Sequence, residues 1–435
     1  MGRWSDTMRV GAVVVGATAC LTGCGTHLVN LDSDGVQATN GSNSADAFIS
    51  GDGSAIGFTS NATNLGGGDT NRTTDVYVRD LGGGTTTRVS VATGGGEANG
   101  ASAGTSISAD GTDVVFHSDA DNLVAGDTNA APDVFLHDRM TGETTLVSAD
   151  LGGGPASGQS TKGAVSGDGT LVAFQSFAAD LVSGTTVGDW QIYVRDVARG
   201  VTTRASTAGD GSEGDDSSVN PTISADGRHV AFESKAANLV AGDTNGVSDV
   251  FVKDLVTGAI ERVSVGSDGA EAAGGSIRPS LSADGRDVAF GSDATDLVEG
   301  DSNQVGDSFV HDRVTGETTR VSVSSTGAQA DVSTVNPGIS ADGRYVTFPS
   351  HATALVPDDT NFTGDVFVHD RATARTERVS VTIAGAQAAG NSAATQRSIS
   401  ADGRRVVFSS IANNLVADDR NTLLALAADV FLRFR

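Results

Sequence analysis

Cysteine is nearly absent from this sequence, and both copies lie at its start, at Cys20 and Cys24. A disulfide framework is therefore excluded for the rest of the chain, and stability has to come from packing. Proline is scarce (7 residues), glycine is abundant (57 residues), and apolar residues make up 38%. This composition is typical of short strands joined by glycine-rich turns, not of long helices around a bulky core.

Positive charge is also in short supply. Lysine and arginine number 28 against 54 aspartates and glutamates, which leaves a net charge of −26. A surface of that sign repels the phosphates of nucleic acids and of anionic lipid headgroups. We therefore expect no nucleic-acid partner.

The first 24 residues have the organisation of an export signal. Arg9 precedes an apolar run from Val10 to Ala19 that is too short to span about 30 Å of hydrocarbon as a helix. The segment ends in Leu-Thr-Gly-Cys at Cys24 and resembles the bacterial lipobox. The resemblance implies a signal peptide at 1–23 and a diacylglycerol on Cys24 that anchors the protein to the extracytoplasmic side of a bacterial membrane. Ordinary secretion with a chance cysteine is the alternative.

The body of the chain is one motif written seven times. The string Ser-Ala-Asp-Gly or Ser-Gly-Asp-Gly recurs at a spacing of 58 residues five times and then 60. Such a fixed period indicates a repeat architecture in which each unit packs only against its neighbours. The turn aspartates are Asp52, Asp110, Asp168, Asp226, Asp284, Asp342 and Asp402.

Each repeat is predicted to form four antiparallel strands. In the fourth repeat an Asp-Gly hairpin turn separates a first strand at 221–224 from a second at 229–234. The third strand, 250–254, and the fourth, 261–265, alternate apolar and polar residues at period two. The repeat is therefore a four-stranded blade.

Blades with a Ser-x-Asp-Gly hairpin and an Asp-Val-Phe-Val third strand resemble the TolB-type propeller repeat, a relative of WD-repeat blades. The resemblance covers residues 27–435 and implies an all-β fold, one seven-bladed β-propeller spanning 24–435. It implies little about activity, because this architecture hosts scaffolds, sugar binders and enzymes alike.

The N-terminus is expected to close the ring. The seventh repeat has no outer strand of its own, and His27 to Leu31 matches that strand, with Val29 placed 23 residues before Asp52. An open ring would expose a sheet edge and an apolar face, both aggregation hazards, so we expect the two chain ends to close it and the protein to be a monomer. A lipid on Cys24 would then hold the face of the short turns against the membrane. The opposite face, which carries the long second-to-third and blade-to-blade loops, would point outward and bind partners; we call it the long-loop face.

The second-to-third loops carry Asp-x-Asn-x-x-x-Asp in five repeats. Hard oxygen ligands suit calcium, although carbonyls and water would have to complete the six to eight ligands that this ion prefers. Aspartate and asparagine also favour turns by bonding their own backbone, which is the alternative interpretation. The candidate calcium ligands are Asp69, Asn71, Asp75, Asp127, Asn129, Asp133, Asp243, Asn245, Asp249, Asp301, Asn303, Asp307, Asp359, Asn361 and Asp365.

Two departures from the repeat suggest a partner site on the long-loop face. The third repeat replaces Asp-x-Asn with a loop that carries Trp190, with Phe177 nearby in sequence. The seventh repeat has an insertion that carries Leu423, Leu424 and Leu426. These residues are the candidates for an apolar partner site, and inward repacking of such loops is the competing interpretation.

The sequence thus predicts a lipid-anchored scaffold, not an enzyme, that binds an unknown envelope protein or glycan. The alternative is an extracytoplasmic hydrolase or lyase that uses the loop carboxylates, with calcium as its cofactor. A catalytic site requires unequal residues that converge in one cleft, whereas the acidic motif recurs around the ring. That repetition favours the scaffold.

Overall fold

A computed structural model describes residues 25–39, 42–184, 188–417, 419 and 427–435. These residues form seven four-stranded antiparallel sheets, the blades. Blades one to three contain β2 (Ser44–Ile49), β3 (Ala55–Ser60), β4 (Asp75–Asp80) and β5 (Thr85–Arg88); β6 (Ser102–Ile107), β7 (Asp113–Ser118), β8 (Asp133–Asp138) and β9 (Glu143–Leu146); and β10 (Ser160–Val165), β11 (Leu171–Ser176), β12 (Gln191–Asp196) and β13 (Val201–Arg204).

Blades four to six repeat this order. They contain β14 (Ser218–Ile223), β15 (His229–Ser234), β16 (Asp249–Asp254) and β17 (Ile260–Arg262); β18 (Ser276–Leu281), β19 (Asp287–Ser292), β20 (Asp307–Asp312) and β21 (Glu317–Arg320); and β22 (Gly338–Ile339), β23 (Tyr345–Ser350), β24 (Asp365–Asp370) and β25 (Arg375–Arg378). Blade seven contains β26 (Ser392–Ala393), β27 (Arg405–Ser410), β28 (Asp429–Phe434) and, as its fourth strand, β1 (Thr26–Leu28). The predicted seven-bladed, four-stranded fold is confirmed.

The N-terminal strand lies slightly earlier than the sequence suggested. It covers Thr26–Leu28, where Thr26 is opposite Arg433, and the pairing continues through Val29 N, which donates to Val430 O at 2.8 Å. Leu31 has already left the strand and forms an isolated bridge with Gln37. None of the described residues forms a helix of the length and apolarity that crossing a bilayer would require.

The Ser-x-Asp-Gly turn is stabilised by its own side chains. The Ser50 hydroxyl donates to Asp52 Oδ1 at 2.7 Å, and the same oxygen accepts the Ser54 N–H at 2.8 Å. Gly53 has a φ of 72°, a region that glycine enters without steric cost. The same arrangement recurs in the other six turns, which explains why serine, aspartate and glycine are repeated.

Main-chain hydrogen bonds join these seven turns into a closed circle around the propeller axis. The position before each turn aspartate is glycine in two turns and alanine in five, and at Gly167 even a Cβ would come within 2.8 Å of Ala225 O. The seven bonds, 2.8–3.3 Å long, are Asp52 N to Ala109 O, Ala109 N to Gly167 O, Gly167 N to Ala225 O, Asp226 N to Ala283 O, Ala283 N to Ala341 O, Ala341 N to Ala401 O and Ala401 N to Gly51 O.

The core consists of buried layers between neighbouring blades. In each blade an aromatic ring on the second strand stacks on one from the third, as Phe232 does on Phe251 at a centroid distance of 6.0 Å. The equivalent pairs are Phe58–Tyr77, Phe116–Phe135, Phe174–Tyr193, Phe290–Phe309, Phe348–Phe367 and Phe408–Phe431. Most of the aromatic residues of the chain belong to these seven stacked pairs.

At four of the seven outer strands, part of a long blade-to-blade connection covers the sheet edge instead of joining the long-loop face. The connection from blade one to blade two places Thr93 against the outer strand of blade two, where Thr144 N donates to Thr93 Oγ1 at 2.9 Å. Ser33, Ser267 and Ser325 make the same contact with later outer strands. Exposed outer edges are thereby protected from pairing with another chain.

The seam between blades seven and one is packed like the other seams. Val29 is 1% exposed and lies in one apolar cluster with Phe58, Tyr77 and Val430. The Thr26 hydroxyl donates to Val381 O at 2.5 Å and so connects the N-terminal strand to blade six.

We predict that Val29→Ala destabilises the protein by about 2 kcal/mol, because it removes buried methyl groups at this seam. Val36 lies seven residues later and is 50% exposed, so Val36→Ala is the matched control and should change stability little. Thermal or urea unfolding measures both variants. Equal stability of the two would contradict a closing role for the N-terminal strand, as would an unchanged melting curve after removal of residues 25–31.

Candidate functional site

The inner strands around the propeller axis bulge just below the long-loop face. The pairing of first and second strands shifts between Thr161 and Ala164 in blade three, and equivalent shifts occur in blades one, four and five. At the bulge Lys162, Asn220 and Arg278 have φ values of 53–56°. Bulges and positive φ at non-glycine residues tend to occur at functional sites, because they aim side chains in particular directions.

Blade seven sends side chains across the axis to the other inner strands. Thr395 Oγ1 donates to Ala47 O of blade one at 2.8 Å, and Gln396 Nε2 donates to Pro279 O of blade five at 3.1 Å. Arg397 reaches carbonyls of blades three and four, at 3.3 and 3.5 Å. This segment belongs to the repeat that is two residues longer than the others. These contacts cross the axis at the level of the bulges, since the accepting carbonyls of Ala47, Gly163, Pro221 and Pro279 all lie within the shifted segments.

Burial lowers the pKa of Arg397 to about 10, so its guanidinium remains charged at neutral pH. The circle of turns closes the short-turn end of the axis, and the exposed residues Lys162 and Arg278 mark its opening toward the long-loop face. We call this opening the channel mouth, formed by the bulge residues Asp46, Lys162, Asn220 and Arg278 and the second-strand residues Thr59, His117, Gln175 and Glu233.

One second-strand position at the channel mouth differs in every blade. It lies between a phenylalanine and a serine that are the same in all seven copies. The flanking residues stay constant because they serve the aromatic pairs and the sheet in every blade. The residue between them makes different contacts in different blades: Gln175 and Glu233 bond the next blade, and a Cβ on Gly291 would lie 2.6 Å from Val335 O. The seven residues are Thr59, His117, Gln175, Glu233, Gly291, Pro349 and Ser409.

Two of these side chains hold the bulge of the next blade. Gln175 Oε1 accepts the Asn220 N–H at 2.8 Å. Glu233 accepts the Arg278 N–H at 2.6 Å and the Asn220 side-chain amide at 2.9 Å. Burial raises the pKa of Glu233, although these hydrogen bonds act in the opposite direction.

His117 is a different case. Its Nδ1 is buried and has no hydrogen-bond partner among the described residues. Burial, together with the nearby Lys162 charge, lowers the pKa of His117 to about 4, so the imidazole is neutral. Lys162 and Arg278 are exposed, and neither forms an ion pair within the described part of the chain. The channel mouth therefore offers a neutral imidazole, two free cations and several amides to a ligand.

The predicted calcium loops bring carboxylates together, but an arginine lies among them. In blade four, carboxylate oxygens of Asp243, Asp249 and Glu271 lie within 4.8 Å of one another. Arg262 Nη1 is 3.6 Å from Asp243, 3.5 Å from Asp249 and hydrogen-bonded to Glu271. Blade one repeats this cluster with Asp69, Asp75, Glu97 and Arg88, and arginines at 3.0–3.3 Å serve the aspartates of blades five and six.

These carboxylates have strongly shifted pKa values. Burial raises the pKa of Asp75 and of Asp243 to about 6. Burial also acts to raise the pKa of Glu271, but hydrogen bonds from Thr244 and the charge of Arg262 outweigh it and lower the value to about 2. The asparagine of the motif has a structural role, since Asn245 bridges Ala272 O and Asp249.

Blade two differs from the other motif-bearing blades. Leu146 stands where they have the arginine, and Pro155 stands where blades one and four have a glutamate and blades five and six have a glutamine. Asp133 is fully buried there and accepts bonds from Ser148 at 2.6 Å and Asn129 at 2.7 Å, with its pKa raised by burial to about 6. Among the five loops, this one has no arginine to neutralise its aspartates.

The predicted partner residues divide between described and undescribed parts of the chain. Phe177 and Trp190 come together in an edge contact at 5.9 Å, and Phe177 is 44% exposed. They form a small aromatic patch on the long-loop side of blade three. Leu423, Leu424, Leu426 and Cys24 lie outside the described residues, so their roles stay predictions. The channel mouth itself was not predicted.

The propeller defined by these blades has relatives among solved structures. Two oligogalacturonate lyases, one in complex with manganese and one from Vibrio parahaemolyticus, have TM-scores of 0.52 and 0.51 at 13% and 12% identity. Each alignment covers 95% of this chain and 96% or 98% of the lyase. At this identity the likeness shows the fold alone.

TolB from Acinetobacter baumannii is also similar, with a TM-score of 0.41 and 17% identity. That alignment covers 77% of this chain and 62%, less than two thirds, of the TolB chain. No protein-family model matches the sequence. No curated protein matches it either.

We predict that Arg262→Leu lowers the stability by about 3 kcal/mol, because it leaves buried carboxylates without their cation. Arg228→Leu in the same blade is the control: Arg228 is 48% exposed and pairs with Asp254 at 2.8 Å, and such surface pairs contribute at most about 1 kcal/mol. If calcium binds these loops, adding it should restore part of the loss in Arg262→Leu. The absence of any calcium-dependent melting shift, relative to chelator, in variant and wild type would contradict calcium binding.

We also predict that the protein is more stable near pH 5 than at pH 7.5. Burial raises the pKa of Asp113 to about 6, as it does for Asp75, Asp133 and Asp243. Groups of this kind bind protons more tightly in the folded state, so their contribution to stability is lost as the pH rises through 6. Below pH 4 stability should fall again as Glu97 and Glu271 are protonated on unfolding.

Melting temperatures between pH 3 and pH 8 measure this dependence. Asp113→Asn should reduce the rise between pH 7.5 and pH 5, since it removes one of the four carboxylates, whereas a general relief of charge repulsion would leave the rise intact. A melting temperature that increases steadily up to pH 7.5 would show that these carboxylates are not held as described.

Proposed function

We propose that the protein is a lipid-anchored, extracytoplasmic β-propeller that binds an envelope protein or glycan at the channel mouth on its long-loop face. The observation that carries this proposal is the second-strand position that differs in all seven blades between two residues that never change. A purely structural ring would repeat that position as it repeats its neighbours. Places where a repeat departs from its own rule tend to be functional or strained positions.

The closed narrow end of the channel supports the same choice of face. The circle of glycine and alanine residues leaves no room for side chains at the short-turn end. On the opposite side, Lys162 and Arg278 are exposed and the bulges aim them around the mouth. The patch of Phe177 and Trp190 extends this surface with apolar area, which suits a ligand with both polar and apolar parts.

We propose a hydrolase or lyase as the second candidate function, because unequal residues converge at the mouth. Neutral His117 lies near the Lys162 charge, and a neutral imidazole is the form that accepts a proton in general-base catalysis. Calcium remains part of this candidate. Blade two is the loop to test for it, since Leu146 leaves its aspartates without an arginine.

We predict that Lys162→Glu combined with Arg278→Glu abolishes capture of the wild-type ligand from detergent-solubilised envelope, while the melting temperature stays close to that of wild type. Lys235→Glu is the matched control, because Lys235 is also exposed but lies in the second-to-third loop of blade four. Affinity capture followed by mass spectrometry of proteins and glycans measures the outcome.

Retention of the same ligand by the double variant would place binding elsewhere. Incubation of the captured ligand with wild type and His117→Asn separates the two candidate functions. Conversion of the ligand by wild type alone would favour the enzyme, and an unchanged ligand in both samples would favour the binding module.

A further inference from the structure

Charge is unevenly distributed over the short-turn face. This face is formed by the first-to-second turns (50–55 and equivalents) and the third-to-fourth turns (80–87 and equivalents). In blades one to five these turns carry five arginines and fifteen carboxylates. In blades six and seven the turns 340–345, 370–377, 400–405 and 434–435 carry six arginines and four carboxylates. An acidic protein thus has one corner of this face with a small excess of positive charge.

A cavity of about 320 Å³ lies in this corner. Its lining residues are Tyr345, Asp370, Arg375, Glu377, Gly403, Arg404 and Arg435. The side chains of Arg375 and Arg404 are 72% and 80% exposed. We call Arg375, Arg404 and Arg435 the arginine corner.

The arginine corner is partly preorganised. The Arg435 guanidinium lies 4.6 Å from the centre of the Tyr345 ring, and its Nε donates to Glu377 at 2.6 Å. Glu377 also pairs with Arg375 at 3.3 Å, so one carboxylate serves two arginines. Asp370, the other carboxylate of the cavity, is occupied by Arg344 at 2.7 Å. Arg404 has only a distant partner, Asp402 at 4.0 Å.

The arginine corner adjoins the point where the chain enters the propeller. Phe434 N donates to Gly25 O at 3.0 Å, and the His27 ring packs edge-on against Phe434 at 5.6 Å. Gly25 therefore lies one residue away from Arg435 in the paired strands. Cys24, the predicted site of the lipid, immediately precedes Gly25 in the chain.

We propose that the arginine corner binds the phosphate of an anionic phospholipid. This inference rests on the proposed anchoring through Cys24 and names the lipid headgroup that the anchored face contacts. Arginine guanidiniums bind phosphate oxygens with paired hydrogen bonds. The net charge of −26 repels an anionic membrane, so contact is restricted to the corner where the sign is reversed. The propeller is then held on the membrane by blades six and seven.

Isothermal titration calorimetry on the full-length protein in nonionic detergent tests this proposal. The probes are dihexanoylphosphatidylglycerol, dihexanoylphosphatidylcholine and inorganic phosphate. Only the anionic lipid should bind well, and Arg375→Gln with Arg404→Gln should weaken it by about fivefold for each arginine removed. Arg199→Gln is the control, because Arg199 is 82% exposed on the same face in blade three.

Equal affinity of the double variant and wild type for phosphatidylglycerol would overturn the proposal. Equal binding of inorganic phosphate or phosphatidylcholine would also overturn it, since the site would then not select an anionic lipid. Mass spectrometry of the peptide that carries Cys24 tests the anchor separately. A peptide without diacylglycerol would refute the anchor and leave the headgroup result unaffected.

Discussion

The circle of main-chain hydrogen bonds between the seven Ser-x-Asp-Gly turns is the constraint on which the rest of the structure depends. It brings seven turns to one axis, where the position before each aspartate is glycine in two turns and alanine in five. The bulges and the variable second-strand residues lie toward the opposite, long-loop end of the same strands.

Much of the fold follows from the sequence because each blade repeats the same local chemistry. The turn aspartates and the period-two strands predict the seven blades, and the match of Val29 to the outer strands predicts where the N-terminal segment packs. The candidate site was less predictable. Carboxylates at calcium-like spacing are visible in sequence, but the arginine that lies among them, such as Arg262, comes from a different strand. Only the structure places both in one cluster.

The channel mouth was missed for a related reason. Its signal was present as one variable residue between a constant phenylalanine and a constant serine. That signal becomes meaningful only when the bulges bring those positions to one opening, together with Lys162 and Arg278. The acidic motif, in contrast, recurs around the ring and stabilises loops. Repetition in this protein marks what the fold needs, and variation marks the surface we propose for binding, with the opposite face directed at the membrane.

Site-specific photo-crosslinking in intact cells tests this central claim most directly. A photoreactive residue at Asn220 samples the channel mouth, and one at Asp226 samples the short-turn face of the same blade. The proposed arrangement predicts a discrete crosslink to an envelope protein or glycan from position 220 and none from position 226. A crosslink from position 226 alone would contradict it, because the ligand would then occupy the face assigned to the membrane.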